Sequence, residues 1–209
     1  MKNFIIIFFI ILPNLTYADL LDKFSLACIC DKSINALKYF DCKQKVSGTQ
    51  LDLLKDYGWD KAAEGCKYII HVASPFPLKV SNDREKLLPV AVDGTLRVLN
   101  SSLKNNVEQI IVTSSIVAMF RKPNRSNPYT FGENDWTDEN WIEGVSDYFL
   151  SKTKAERTAW EFMESKGLKN KLTTINPGGV FGDALDKKGG TSIEYVRQFL
   201  KGKFPAAPK

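Results

Sequence analysis

Short apolar runs alternate along this chain with stretches whose apolar residues recur at helical spacing, and that alternation restricts the fold more than any other feature. The apolar runs are Asn3–Phe9, Phe24–Cys30, Val46–Leu51, Lys67–Ala73, Gln109–Ser115 and Leu172–Asn176. The helical stretches between them are Tyr17–Leu21, Ser33–Tyr39, Trp59–Gly65, Arg84–Asn105, Tyr148–Lys166 and Ser192–Lys201. Strands separated by helices predict an α/β fold, a doubly wound parallel sheet with helices on both faces. Continuous apolar runs suit strands covered on both sides, so Ile70, Val72, Ile111, Val112 and Ile175 are expected to be buried. Sheets of this kind bind ligands at the carboxyl ends of their strands. Ser74, Ser115 and Pro177 all fall at or just past such ends. Residues 121–145, rich in Asn, Pro, Asp and Gly, read as a long surface loop over that edge.

Composition narrows the function classes. The 209 residues suit one domain, and 44% hydrophobic with 25% charged residues is ordinary for a globular chain. The net charge of +5 is spread along the sequence with no dense Lys/Arg block, so no nucleic-acid partner is expected. His71 is the only histidine, and the four cysteines (Cys28, Cys30, Cys42, Cys66) form no second pair or His cluster. A zinc site is therefore not expected, and the cysteines read as reduced thiols in a core. Residues 3–9 are a buried parallel strand on one reading, which fits a cytoplasmic protein. On the alternative reading, Lys2, the apolar run Phe4 to Leu12 and Thr16-Tyr17-Ala18 form a signal peptide cleaved after Ala18. The run is too short to span a membrane as a helix.

A serine, a tyrosine and a lysine then point to chemistry. Ser115 ends the run Ile110-Ile111-Val112-Thr113-Ser114-Ser115, and Tyr148 and Lys152 follow at the start of a helical stretch. A spacing of four puts the phenol and the ammonium on one face of a helix. Such a group can move a proton while a nicotinamide moves a hydride. The Tyr-x-x-x-Lys spacing occurs three times, at Tyr39 with Lys43, Tyr57 with Lys61 and Tyr148 with Lys152. Only the third has a strand ending in serine upstream and a long amphipathic helix after it.

Several ordered stretches together resemble the extended short-chain dehydrogenase/reductases, within the NAD-dependent epimerase/dehydratase superfamily. They are Leu51-Asp52-Leu53-Leu54, Gly65-Cys66 leading to His71-Val72-Ala73-Ser74-Pro75, Ala91-Val92-Asp93-Gly94-Thr95 and Val112-Thr113-Ser114-Ser115. Glu133-Asn134-Asp135-Trp136-Thr137-Asp138, Tyr148 to Lys154 with Ala155-Glu156-Arg157, and Asn176-Pro177-Gly178-Gly179-Val180-Phe181-Gly182 complete the set. The chain looks most like the branch of dihydroflavonol, cinnamoyl-CoA and aldehyde reductases, over about Leu20 to Lys209. The resemblance implies a Rossmann-like NAD(P)-binding domain over residues 1–209 and an oxidoreductase acting on CH-OH groups, with NADP or NAD as cofactor and a small carbonyl or alcohol substrate. It implies Tyr148 as general acid, Lys152 as partner of the ribose and the phenol, and Ser115, rather than Ser114, as hydrogen-bond donor to the substrate carbonyl. It also implies Asp52 and Leu53 beside the adenine, Ala73 and Ser74 along the cofactor, and Pro177, Gly178 and Val180 near the nicotinamide. No metal is implied.

The chain departs from that family at both ends. The family's glycine-rich turn lets backbone N–H groups approach the pyrophosphate, whereas the matching stretch, Phe8 to Thr16, has no glycine, and none occurs before Gly48. Weak cofactor binding is therefore expected, with residues 1–20 degenerate. Cys30 stands where NADP-using relatives carry an arginine. The C-terminus, Phe204 to Lys209, stops where relatives continue into a substrate domain. Two functions follow: a reductase of aldehydes or ketones, or a non-catalytic remnant that keeps the fold without the cofactor. A nucleotide-sugar epimerase fits less well, because Ile116-Val117 follows Ser115 where epimerases carry Tyr-Gly.

Overall fold

The computed structural model describes residues 27–29, 51–75, 81, 83–126, 129–180 and 191–203. Four strands form one sheet: β1 (Ala27–Ile29), β2 (Tyr68–His71), β3 (Gln109–Thr113) and β4 (Leu172–Ile175), in the order β1-β2-β3-β4. Among the described residues four α-helices accompany them: α1 (Trp59–Ala63), α2 (Gly94–Lys104), α3 (Asp147–Ser165) and α4 (Thr191–Leu200). The fold is α/β, as the alternation predicts. The expected strand at 3–9, the helices at 17–21 and 33–39, and most of the strand at 46–51 lie outside the described residues. Leu51 itself is buried but lies in no strand.

β2, β3 and β4 pair in parallel, with Ile69 opposite Ile110 and Ile110 opposite Leu172. The edge departs from expectation. β1 runs antiparallel to β2, with Cys28 opposite Ile69, so the sheet is mixed rather than wholly parallel. Among the described residues β1 is the edge strand, an antiparallel strand on the edge of a parallel sheet is a common arrangement, and three residues are too few for the apolar pattern to dictate direction.

Register explains the burial. Ile69, Ile110, Val112 and Leu172 point to one face, where they join Trp59, Ala62 and Ala63 of α1, Val98 and Leu99 of α2, and Ala159 and Met163 of α3 in one core. Alternate residues point the other way. Val112 is buried as expected, but Ile70, Val72, Ile111 and Ile175 are only partly buried. The helices in this core thus cover the Ile110 face. The expected helices on both faces rested partly on residues 17–21 and 33–39, outside the described residues.

The long helical stretch expected from Arg84 begins later than predicted. Residues 84–87 form turns, Leu88 is already helical, Pro89–Asp93 is a π-helical turn, and Gly94–Lys104 is the regular α-helix. Pro89 lacks an N–H to give to the preceding turn, so it marks a helix start. α3 starts at Ser146, whose side chain accepts a hydrogen bond from the Phe149 N–H as an N-cap. Gly167, at φ 69°, takes the left-handed conformation just past its end. Cys66 corrects another expectation: it is disulfide-bonded rather than a reduced thiol. Its partner is not among the residues whose side chains are described.

Candidate active site

The carboxyl ends of β2, β3 and β4 and the first turns of α3 build the site. β3 ends at Thr113, and the chain then turns outward through Ser114 and Ser115 into a 3-10 turn, Ile116–Ala118. Two backbone bonds fix this turn against β4: Ser114 N–H to Ile175 O (2.8 Å) and Ile116 N–H to Pro177 O (3.0 Å). The two serines then face different partners. The Ser115 hydroxyl acts on the phenol of Tyr148 and draws its pKa down. The Ser114 hydroxyl donates to Glu156 Oε2 at 2.6 Å.

Tyr148 and Lys152 lie one turn apart on α3, and both approach the end of β3. The Lys152 ammonium donates to the Thr113 carbonyl at 3.3 Å, and only 7% of the residue is exposed. Burial holds its pKa down to about 8, against a smaller upward pull from the Glu156 carboxylate. Burial pushes the Tyr148 phenol up, and the Ser115 hydroxyl opposes it. Asp147, almost fully buried, accepts from its neighbour's N–H at Tyr148 (2.8 Å) and from Ser81 N–H (3.0 Å). The first turn of α3 is thereby tied to the segment that precedes α2.

The other residues singled out by the sequence spread along the same edge. Ala73 and Ser74 lie just past β2 and line a cavity of about 10 Å³ with His71, Thr95, Ser114, Lys152 and Glu156. That is room for roughly one water. Asp52 and Leu53 stand apart from this cavity. Asp52 Oδ1 accepts from Leu54 N–H at 2.9 Å, which lowers its carboxyl pKa, with Lys55 adding to the effect. Leu53 packs on Gly94, and its carbonyl accepts from Arg97 Nη1 at 2.7 Å. Pro177 meets the Ser115 turn through its carbonyl. Gly178 and Val180 are exposed, and Val180 N–H donates to Ser192 Oγ at 3.2 Å. The structure thus brings Ser115, Tyr148 and Lys152 together, with Ala73, Ser74 and Pro177 around them. Asp52, Leu53 and Val180 sit further out along the edge. Tyr57, of the second Tyr-x-x-x-Lys pair, is 67% exposed; the first pair lies outside the described residues.

The loop at 121–145 is anchored back onto the site. Thr137, almost fully buried, donates its hydroxyl to Val117 O (2.6 Å) and accepts from Arg121 N–H (3.0 Å), while its own N–H donates to Ala118 O (2.9 Å). Asp135 gathers Arg125, Tyr129 and the Gly132 N–H. Glu139 pairs with Lys154 and Arg157 of α3. No role was assigned from sequence to Glu156 or Thr137. The signal for Glu156 was its spacing, four residues after Lys152 on the helix face that meets the sheet. Among the described residues, no group of three or more His, Cys, Asp or Glu could hold a metal ion, and no helix is long and apolar enough to cross a membrane.

This geometry meets the comparisons with known proteins. Residues 24–203 match the model of the 3-beta hydroxysteroid dehydrogenase/isomerase family. The chain belongs to that family. Its curated relatives include cinnamoyl-CoA reductase 1 of Petunia hybrida, 32% identical over 161 residues, covering 77% of this chain and 46% of that protein. Anthocyanidin reductase of Arabidopsis thaliana is 31% identical over 157 residues, covering 73% of this chain and 46% of that protein. Among solved structures, yeast methylglyoxal/isovaleraldehyde reductase Gre2 complexed with NADPH superimposes with a TM-score of 0.60 at 32% identity, over 72% of this chain and 49% of that one. The branch expected from the motifs is thus the one the family member resembles, and the chain spans about half the length of the curated relatives it matches.

Proposed function

We propose that this family member carries the acid–base centre of a carbonyl reductase, which reduces an aldehyde or ketone to an alcohol with NADP or NAD. The observation that carries the reading is Tyr148 one helical turn from the buried ammonium of Lys152, which bonds the end of β3, with the Ser115 hydroxyl acting on the phenol. The donor set fits the reactive end of a nicotinamide cofactor: two hydroxyls and one ammonium at the carboxyl end of β3, with Ala73 and Ser74 at the end of β2. Lys152 and Tyr148 would hold the ribose there, Pro177, Gly178 and Val180 would flank the nicotinamide, and Asp52 and Leu53 would lie beside the adenine. The pyrophosphate would fall to Phe8–Thr16, outside the described residues.

When bound, the cofactor supplies a hydride to the carbonyl carbon. Ser115 donates a hydrogen bond to the carbonyl oxygen and stabilises the negative charge that develops there. Tyr148 then gives its phenolic proton to that oxygen, and the alcohol forms. Burial alone would keep this proton too tightly bound. The Ser115 hydroxyl already offsets part of that, and the positive charge of Lys152 favours the phenolate that remains.

The glycine-free stretch Phe8–Thr16 favours a second reading, a chain that keeps the fold without binding cofactor. One experiment separates the two. The purified chain is titrated with NADPH and NADH and then assayed on a panel of aldehydes and ketones. Turnover that Tyr148→Phe abolishes and Tyr57→Phe leaves intact supports the reductase. No saturable binding of either cofactor and no turnover establish the remnant.

A further inference from the structure

We infer that Glu156 is the positioning residue of this site, a buried carboxylate that gathers donors from the ends of β3 and β4 and so holds Ser115 and Lys152 in place. The inference rests on the reading of Ser115, Tyr148 and Lys152 given above. Glu156 is 2% exposed, on α3 one turn after Lys152 and two turns after Tyr148. Its Oε2 accepts from Ser114 Oγ at 2.6 Å and from Asn176 Nδ2 at 2.6 Å, and its Oε1 accepts from Thr174 Oγ1 at 3.0 Å. Asn176 Nδ2 also donates to the Ser115 carbonyl at 3.1 Å. One side chain of α3 therefore ties together the tips of two strands and reaches the backbone of Ser115 through a single amide.

This arrangement reinforces the backbone link where the ladder ends. Strand pairing between β3 and β4 ends at Thr113 and Ile175, just before the residues whose placement matters. Past that point the Ser114 N–H to Ile175 O and Ile116 N–H to Pro177 O bonds carry the link on, and the Glu156 network adds side-chain ties to it. A carboxylate buried without partners would be costly, and three donors in charge-assisted bonds offset that cost. Its charge has a second use. Lys152 shares its cavity with Glu156 of α3, His71 of β2, Thr95 of α2, and Thr113 and Ser114 at the end of β3, and Glu156 is the one carboxylate among these lining residues. The Coulombic attraction of Glu156 opposes the burial that draws the proton from this ammonium, alongside the bond to the Thr113 carbonyl.

The test reads Lys152 directly, in the full chain with isotope-labelled lysine, by an NMR titration assigned through Lys152→Met. Glu156→Gln keeps the volume, removes the charge and places an NH₂ among three donors. The expected result is a fall in the Lys152 midpoint of about one pH unit or more, together with a shifted Ser115 amide signal. Ser114→Ala, which loses one donor and keeps the charge, should leave the midpoint close to the parent's. A folded Glu156→Gln with the parent's Lys152 midpoint and Ser115 signal overturns the inference. Should Glu156→Gln not fold, Asn176→Ala decides: it should shift the Ser115 amide while keeping the Lys152 midpoint, and an unmoved Ser115 amide overturns the inference. None of these signals depends on turnover. Activity that survives Tyr148→Phe would sink the reductase reading and leave the role of Glu156 in placing these groups intact.

Discussion

Leu53 and Gly94 are packed so closely that a side chain at Gly94 has no room: a Cβ there would lie 2.8 Å from Leu53 Cδ2 and 3.1 Å from Leu53 Cβ. The contact brings the start of α2 against the turn that follows Leu51, so Gly94 is there for close approach. Gly94 has ordinary helical dihedrals, and alanine would add up to about 1 kcal/mol of helix propensity. Crowding of this kind costs about 1–3 kcal/mol and outweighs it. Gly94→Val, with a larger β-branched side chain, should cost more than Gly94→Ala, and Leu53→Ala should recover part of either loss. Denaturant melts of the two single variants and the pair check this. Additive losses would show that the two residues do not compete for the same space.

Lys152 makes stability depend on pH in a direction opposite to most ion-paired lysines. Its folded pKa, about 8, lies below the unfolded value near 10.5. Between these values the unfolded chain holds more protons, so stability rises with pH, by at most about 1.4 kcal/mol per pH unit for one group. Below pH 8 both states are protonated and the burial cost is present in full. Lys152→Met should therefore flatten the pH dependence of unfolding between pH 8 and 10. A slope that persists in Lys152→Met would assign it to another group.

Val112 sits on the central strand β3 in the shared core of α1, α2 and α3. Val112→Asp would place an unpaired charge there and should cost about 4 kcal/mol or more, enough to unfold a marginally stable domain. A variant that melts with the parent would overturn the β3 register.

Thr137 holds the long loop to the 3-10 turn after Ser115 through its hydroxyl. Thr137→Val keeps the shape and strands both the Val117 carbonyl and the Arg121 N–H. The loss should be about 2 kcal/mol, with faster hydrogen exchange at Arg121. Unchanged exchange there would mean that water replaces the hydroxyl.

The elements of the described region were legible because their signals are local. The apolar run at 109–115 and the Tyr148–Lys152 spacing depend on neighbours a few residues away, and β3 and α3 formed within two residues of the expected bounds. Helical spacing put Tyr148 and Lys152 on one face, and the resemblance to the reductase family joined Ser115 to them. What the sequence could not supply was direction and face. β1 has three residues and an apolar pattern that suits either orientation, so its antiparallel pairing came from the edge it joined. Ile70 and Ile111 are as apolar as Ile69 and Ile110, and only the register against the helix layer decided which pair is fully buried.

The site divides in the same way. Tyr148, Lys152 and Glu156 share a face of α3 by helical period, which sequence determines. Glu156 finds its donors 18, 20 and 42 residues away, at Thr174, Asn176 and Ser114. No local pattern carries contacts of that range. They exist because parallel pairing of β3 with β4 brings two strand ends beside one helix, and only the tertiary structure could decide that a charged residue in a reductase-like motif would become the buried tie between them.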